Sequence, residues 1–270
     1  MTRVSSPLRS SRGMPTRVAA FLDAVIQHGL FSNARNLRFW MESFFGQVPL
    51  EGRRILDIGG GIGLLSIYAI CRGARAAVCL EPESDGVQTS NSGSRFAALC
   101  DSLGIREAEF APLTLQDYLR SRPDSFDVVC SCNSINHVDE QACIGIRKDP
   151  IARDSYIQIF RDISAMMTQG GDLIVTDCSP RNLYPHLGIS NPFAPTIEWH
   201  KHQTPETWAS LLEEAGFADS RITWLTFNGL GLPGRALLGN RPASYMLRSH
   251  FRLEMRRLAS AGGSPCASCS

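Results

Sequence analysis

At 270 residues, with 43% hydrophobic and 20% charged residues, the chain can bury one sizeable α/β core with embellishments but not a second full domain. A formal net charge of +1 excludes broad electrostatic attraction to nucleic acid or to an anionic membrane, so a small-molecule partner is expected. Nine cysteines scattered through apparent strands and helices, such as Cys79, Cys100 and Cys130, argue against a disulfide framework and for a reducing, cytoplasmic setting, and no apolar run is long enough to span a bilayer.

Residues 1–17 hold Arg3, Arg9, Arg12 and Arg17 among serines and prolines, with no apolar segment following. They are expected to form a disordered basic tail rather than a secretory signal, which puts the domain proper at 18–258. Val18, Phe21, Leu22 and Val25 recur at helical spacing, and beyond Ser32-Asn33 so do Leu37, Trp40, Met41, Phe44 and Phe45 up to Gly46. Two amphipathic helices over 18–46 thus precede the core, with more aromatic side chains than one buried stripe requires.

Residues 53–81 organise everything else. Ile55, Leu56 and Ile58 form a short apolar strand; Gly59, Gly60, Gly61 and Gly63 end it; Ile62, Leu65, Tyr68 and Ala69 share a helical face. A second apolar strand then closes on Glu81, whose carboxylate can accept hydrogen bonds from both ribose hydroxyls. Glycine is needed where a ligand approaches the backbone, and the amides that open the next helix favour a negative group. The spacing is G-x-G-x-G with Asp57 two residues ahead; the dinucleotide pattern G-x-G-x-x-G fails because Leu64 stands at its third glycine.

That combination resembles motif I of the class I S-adenosylmethionine-dependent methyltransferases. The resemblance implies a Rossmann-like three-layer α/β sandwich, a seven-stranded mostly parallel sheet with an antiparallel last strand. It implies S-adenosyl-L-methionine as cofactor, with Gly59 and Gly61 against the methionine part, Gly63 also at the cofactor, Asp57 orienting the loop and its ligand contacts, and Glu81 holding the ribose. It makes the 18–46 helices part lid over the cofactor, with Trp40 toward the substrate, and part cover for one face of the sheet.

Farther along, 108–110 reads as a third strand. Aligned on it, the resemblance puts Thr114 and Leu115 at the adenine, where the family's acid is missing and Gln116 or Asp117 is the substitute if the loop is shifted. Residues 126–138 match the family's fourth strand and turn, placing Cys132 and Asn133 at the cofactor and His137 beside the reacting methyl group. An imidazole there can take a proton from an attacking hydroxyl, or simply brace the loop. The turn lacks the two prolines and aromatic residue of amino-directed DNA methyltransferases, which disfavours a nucleic-acid substrate.

Asp154 is expected to cap the next helix and Gly170-Gly171 to stop it; 173–175 is a fifth strand, with Asp177 at its ligand-facing end. Residues 178–203, with Tyr184, Phe193, Trp199 and His200, are expected to form a substrate lid. His200-x-His202 with Glu198 or His186 has metal-ligand character, but no metal is assigned. Thr204-Pro205-Glu206 opens a helix, 221–227 is a sixth strand, 228–242 a glycine-rich loop, and Leu247, Phe251, Leu253 and Met255 mark a seventh strand. Residues 259–270, with the isolated Cys266-x-x-Cys269, are expected to be a disordered tail. The expected activity is methyl transfer to a small molecule; the alternatives are an NAD(P)-dependent oxidoreductase and a non-catalytic binding protein on the same fold.

Overall fold

The computed structural model describes residues 14–82, 91–121 and 125–258. The expected tail at 259–270 and residues 1–13 of the one expected at 1–17 lie outside these residues, while 14–17 are helical. Helix α1 (Met14–Gln27) begins at Met14, ahead of the expected boundary at Val18. Asn33 then caps α2 (Ala34–Phe45), its Oδ1 accepting from Asn36 N at 3.0 Å, and Gly46 ends it at φ 59°.

Next come β1 (Arg54–Ile58), α3 (Leu64–Cys71), β2 (Ala76–Leu80), α4 (Ser92–Leu103), β3 (Ala108–Ala111), α5 (Leu115–Ser121) and β4 (Phe126–Cys132). Two helices, α6 (Glu140–Gly145) and α7 (Pro150–Ala165), lead to β5 (Met167–Cys178). The remainder is α8 (Leu183–His186), α9 (Pro205–Glu214), β6 (Phe217–Trp224), α10 (Gly231–Leu238), α11 (Arg241–Met246) and β7 (His250–Arg257). The strands form one sheet in the order β3-β2-β1-β4-β5-β7-β6, parallel except for β7, which runs antiparallel to both neighbours. That is the expected α/β architecture.

Strand alternation builds two cores, one on each face. Ile55, Ala77, Cys79, Val128, Cys130 and Ile174 pack under α1 to α4; Leu56, Val78, Val129, Leu173 and Val175 pack under α5, α6, α7 and α9. Because both faces are covered, the middles of the central strands, 55–56, 128–130 and 173–175, are continuous apolar runs rather than alternations with polar residues.

Several local expectations are corrected. Asp149, not Asp154, caps α7, its Oδ1 accepting from Ile151 N at 2.9 Å with Pro150 in the first turn. Gly170 and Gly171 lie inside β5, where a Cβ on Gly171 would stand 2.9 Å from Thr168 O and 3.0 Å from Asp127 O. The expected glycine loop at 228–242 contains a 3-10 turn (Asn228–Leu230), α10 and the start of α11, which Asn240 caps at 3.0 Å. β7 starts at His250, after Ser249 adopts φ 53° and donates its amide to Ser244 O. On β7, Arg252 is buried and reaches across to the carbonyl ends of α2, bonding Phe44 O and Phe45 O as well as Glu254.

Candidate active site

The glycine turn is shaped from behind by side chains that leave no room for a Cβ. On Gly59 (φ 66°) it would stand 2.4 Å from Ser134 Cβ; on Gly60, 2.7 Å from both Asp57 Oδ2 and Cys79 Sγ. Ser134 is itself fixed, donating to Ile58 O at 2.6 Å and bonding Ser131 Oγ at 2.7 Å. Asp57 is buried beneath the turn, accepting from Ser66 Oγ at 3.1 Å and from Cys130 Sγ at 3.7 Å. Burial pushes its carboxyl up to about 7, against the opposing pull of those two donors. Asp57 therefore lies behind the turn and lines neither of the two cavities of the site. Gly63 has a similar role: at φ 73° it precedes α3, and a Cβ there would meet the Phe96 ring at 2.3 Å.

Gly61 differs from its neighbours. It has φ 56° and, among the described residues, nothing within 4 Å of an added Cβ, because it faces a cleft of about 540 Å³. Its amide donates to Glu81 Oε2 at 2.9 Å, which anchors the carboxylate at the mouth of the turn. The cleft is lined by Gly59, Gly61, Glu81, Thr114, Leu115, Cys132, Asn133 and His137, together with apolar Ile58, Leu80, Leu113 and Val138. Eight residues from four separate stretches of sequence thus converge on one space at the carboxyl ends of the parallel strands.

Two of them are engaged differently from expectation. The Thr114 hydroxyl is used in capping α5: it donates to Asp117 Oδ2 at 2.7 Å and accepts from Asp117 N at 3.1 Å. Gln116 lines the cleft instead, donating Nε2 to Val138 O at 3.0 Å and keeping an amide oxygen that can accept from an exocyclic amine. His137 is exposed, with Nδ1 3.0 Å from Glu140 Oε2 and Nε2 3.3 Å from Asn136 Nδ2. Lys201, at 3.0 Å, and then His137 hold the Glu140 carboxyl below its usual range.

Beyond Cys132 and Asn133 lies a second, smaller chamber of about 90 Å³, of which the same two residues form a wall. Asn133, at φ 54°, turns the chain between the two spaces, its amide held by Thr176 O at 2.8 Å. Phe39, Trp40 and Phe44 of α2 roof the chamber; Trp224, Thr226 and Asn228 after β6, Arg235 of α10, and Arg248 and His250 complete it. His250 donates Nδ1–H to Arg248 O at 2.7 Å, so Nε2 is an acceptor, 3.2 Å from Cys178 Sγ. Burial, and then the Arg248 charge, push this imidazole down to about 4.

Of the substrate residues expected from sequence, Trp40 lies in this chamber, while Asp177, Trp199 and His200 line neither space. Asp177 is fully buried and its oxygens are taken by Cys178 N at 2.7 Å, His202 Nδ1 at 2.7 Å and Trp208 Nε1 at 3.1 Å. It joins β5 to α9, which corrects the expectation of a ligand contact. Asp177, Cys178 and His202 bring one potential ligand atom each within 4.8 Å of one another. His202 Nδ1 is paired with Asp177 Oδ1 and the Cys178 thiol with His250 Nε2, and burial pushes that thiol up, away from the thiolate that a metal takes. His200 is exposed whereas His202 turns inward, so the His-x-His pair does not converge.

The expected lid at 178–203 folds down onto the stretch before β7. Asn182 and Asn191 bond Leu247 O at 3.2 and 2.6 Å, and Phe193 meets Phe227 edge-on at 5.6 Å. Phe227 in turn lies 5.3 Å beneath the Arg248 guanidinium. The segment supports the chamber from behind rather than walling it. Sequence reasoning missed Trp224, Thr226, Arg235, Arg248 and His250, which carry no motif and meet only through the pairing of β7 with β5 and β6.

The human mitochondrial ubiquinone biosynthesis O-methyltransferase is 24% identical over 187 residues, covering 67% of this chain, and the chain spans about half the length of such mammalian relatives, 45% in the human protein. The ubiquinone biosynthesis O-methyltransferase of Neisseria meningitidis serogroup C is 24% identical over 207 residues, 74% of this chain and 78% of that protein. Among solved structures, an S-adenosylmethionine dependent methyltransferase from Mesorhizobium loti superposes with a TM-score of 0.51 at 17% identity, covering 81% of this chain and 96% of the other. The [4+2]-cyclase SpnF gives 0.54 at 15%, covering 95% and 98%. These two likenesses show the fold alone. A family profile described as a methyltransferase domain matches residues 26–221, a span that contains every residue of the cleft. The chain belongs to that methyltransferase family.

Proposed function

We propose that the chain binds S-adenosyl-L-methionine in the larger cleft and transfers its methyl group to a hydroxyl of a small molecule in the adjoining chamber. The observation that carries this reading is the shared wall at Cys132 and Asn133, where a cofactor space and an aromatic-walled space meet. The cleft residues fit the cofactor: the open face of Gly61 admits it, Glu81 is placed for ribose hydroxyls, and Leu80, Leu113, Leu115 and Val138 offer an apolar slot closed by Gln116. When bound, the cofactor supplies an activated methyl group whose departure neutralises a positive charge. The protein's part is positioning and exclusion of water, with α2 covering the chamber.

Two histidines are candidates for the hydroxyl proton. His137 belongs to the cofactor cleft, whereas His250 belongs to the acceptor chamber, where its unprotonated Nε2 faces the Cys178 thiol at 3.2 Å, a contact that an acceptor hydroxyl displaces. We assign His250 the hydrogen bond from the acceptor hydroxyl and keep His137 as the cleft-side alternative. His250→Ala is then expected to lower turnover more than His137→Ala at equal cofactor affinity. The relatives named as O-methyltransferases support oxygen as the accepting atom. A cytoplasmic location belongs to the same proposal, supported by seven unpaired cysteines among the described residues.

The test is transfer of labelled methyl from S-adenosylmethionine to a panel of phenols and catechols. Because the fold also serves a [4+2]-cyclase, cofactor binding without transfer to any oxygen, nitrogen or sulfur nucleophile would contradict the proposal.

A further inference from the structure

The acceptor chamber has a charge pattern that narrows what it holds. Among the described residues two arginines line it and no aspartate or glutamate does. Arg248 makes no ion pair among the described residues; its Nε is shielded from solvent without a hydrogen-bond partner, and Thr226 Oγ1, also in the lining, is in the same condition. Burial lowers the guanidinium's pKa from its ordinary value, and no carboxylate acts against that effect. Each orphaned buried polar atom costs about 1–3 kcal/mol. Arg248 is meanwhile held in place by its stack on Phe227, so the donor is oriented in advance. Phe39, Trp40 and Trp224 give the same space flat apolar walls.

We propose that this chamber selects an aromatic acceptor bearing a carboxylate, with the ring against Trp40 and Trp224 and the acid on Arg248 and Thr226. The proposal rests on the methyltransferase reading above. Arg235, at the boundary between the chamber and an outer groove of about 870 Å³, draws anions inward. A neutral phenol would leave the Arg248 charge without a counter-ion, whereas a carboxylate supplies one and accepts from its guanidinium. The cofactor's own carboxylate is the other source of the same chemistry, but Arg248 lies outside the cleft, beyond Cys132 and Asn133.

Full-length protein saturated with S-adenosylhomocysteine is titrated with 4-hydroxybenzoate and with its neutral counterpart 4-hydroxybenzyl alcohol. The acid is expected to bind at least about tenfold more tightly, a difference of about 1.4 kcal/mol. Arg248→Gln should abolish that preference with S-adenosylhomocysteine affinity changed less than about twofold. Thr226→Val, a smaller change that guards against a folding defect, should weaken the acid alone. Equal binding of acid and alcohol, no binding of the acid at millimolar concentration, or a preference surviving in both variants overturns the proposal. Loss of S-adenosylhomocysteine binding in Arg248→Gln, with the acid still bound, assigns Arg248 to the cofactor and overturns it as well. Failure of the wild type to bind S-adenosylhomocysteine is a separate result, and it counts against the methyltransferase reading itself.

Discussion

Two buried titratable groups give the protein opposing responses to acid. Asp57 is pushed up to about 7, so between about 4 and 7 the folded state holds a proton that the unfolded chain has released, and stability falls as pH rises through that window. The difference is on the order of 4 kcal/mol. His250 is pushed down to about 4, so between 6.5 and 4 the unfolded chain takes up a proton that the folded state refuses; its contribution is present above 6.5 and lost as pH falls. Its size is on the order of 3 kcal/mol. Urea denaturation from pH 4 to 7 should therefore show the slope of stability against pH becoming more positive in Asp57→Asn and more negative in His250→Gln. Parallel curves for wild type and either variant would contradict that assignment. The same residue scale explains the glycine motif: Gly59 and Gly60 are fixed by Ser134, Asp57 and Cys79 behind them, and Gly61 faces the ligand space. Gly59→Ala is expected to reduce both melting temperature and cofactor affinity, because relieving a 2.4 Å contact moves the turn after β4.

At the scale of elements, the acceptor chamber depends on how α2 is tied to the sheet. Arg252 ends that helix from β7 by bonding its last carbonyls, supplying partners that helix ends otherwise lack. Arg252→Met removes three hydrogen bonds at a buried place, leaving Phe45 O with Val48 N and Glu254 with Arg221 as remaining partners, and should cost about 3 kcal/mol in chemical denaturation. Lysine is not an adequate substitute, since one ammonium cannot reproduce a planar fork. A loss below about 0.5 kcal/mol would show that α2 is held by packing alone. The tryptophans separate in the same way. Trp208, buried against Tyr156 and Phe160 and bonded to Asp177, should cost about 3–5 kcal/mol when truncated to alanine. Trp199, half-buried and outside both spaces, should leave cofactor affinity, acceptor affinity and melting temperature nearly unchanged.

For the whole molecule, what could be read from sequence follows how local each cause is. The strand, glycine turn, helix and Glu81 are dictated by contiguous residues, so the cleft they line and the sheet were legible. Asp177 misled because an acid at a strand end reads alike whether it faces a ligand or is engaged by His202 and Trp208, 25 and 31 positions later. Residues 178–203 misled because aromatic content does not say which way a segment folds, and Asn182 and Asn191 fold it down. The acceptor chamber gathers side chains from α2, α10 and four strands or their ends, and no local pattern announces such a meeting. The central claim, a cleft built for S-adenosylmethionine, is tested most directly by calorimetric titration of wild type and Glu81→Ala with S-adenosylhomocysteine and with NAD. The account predicts binding of S-adenosylhomocysteine only, weakened in Glu81→Ala by about 1.5–3 kcal/mol through the lost ribose hydrogen bonds. Binding of NAD in its place, or equal affinity in a folded Glu81→Ala variant, would contradict it.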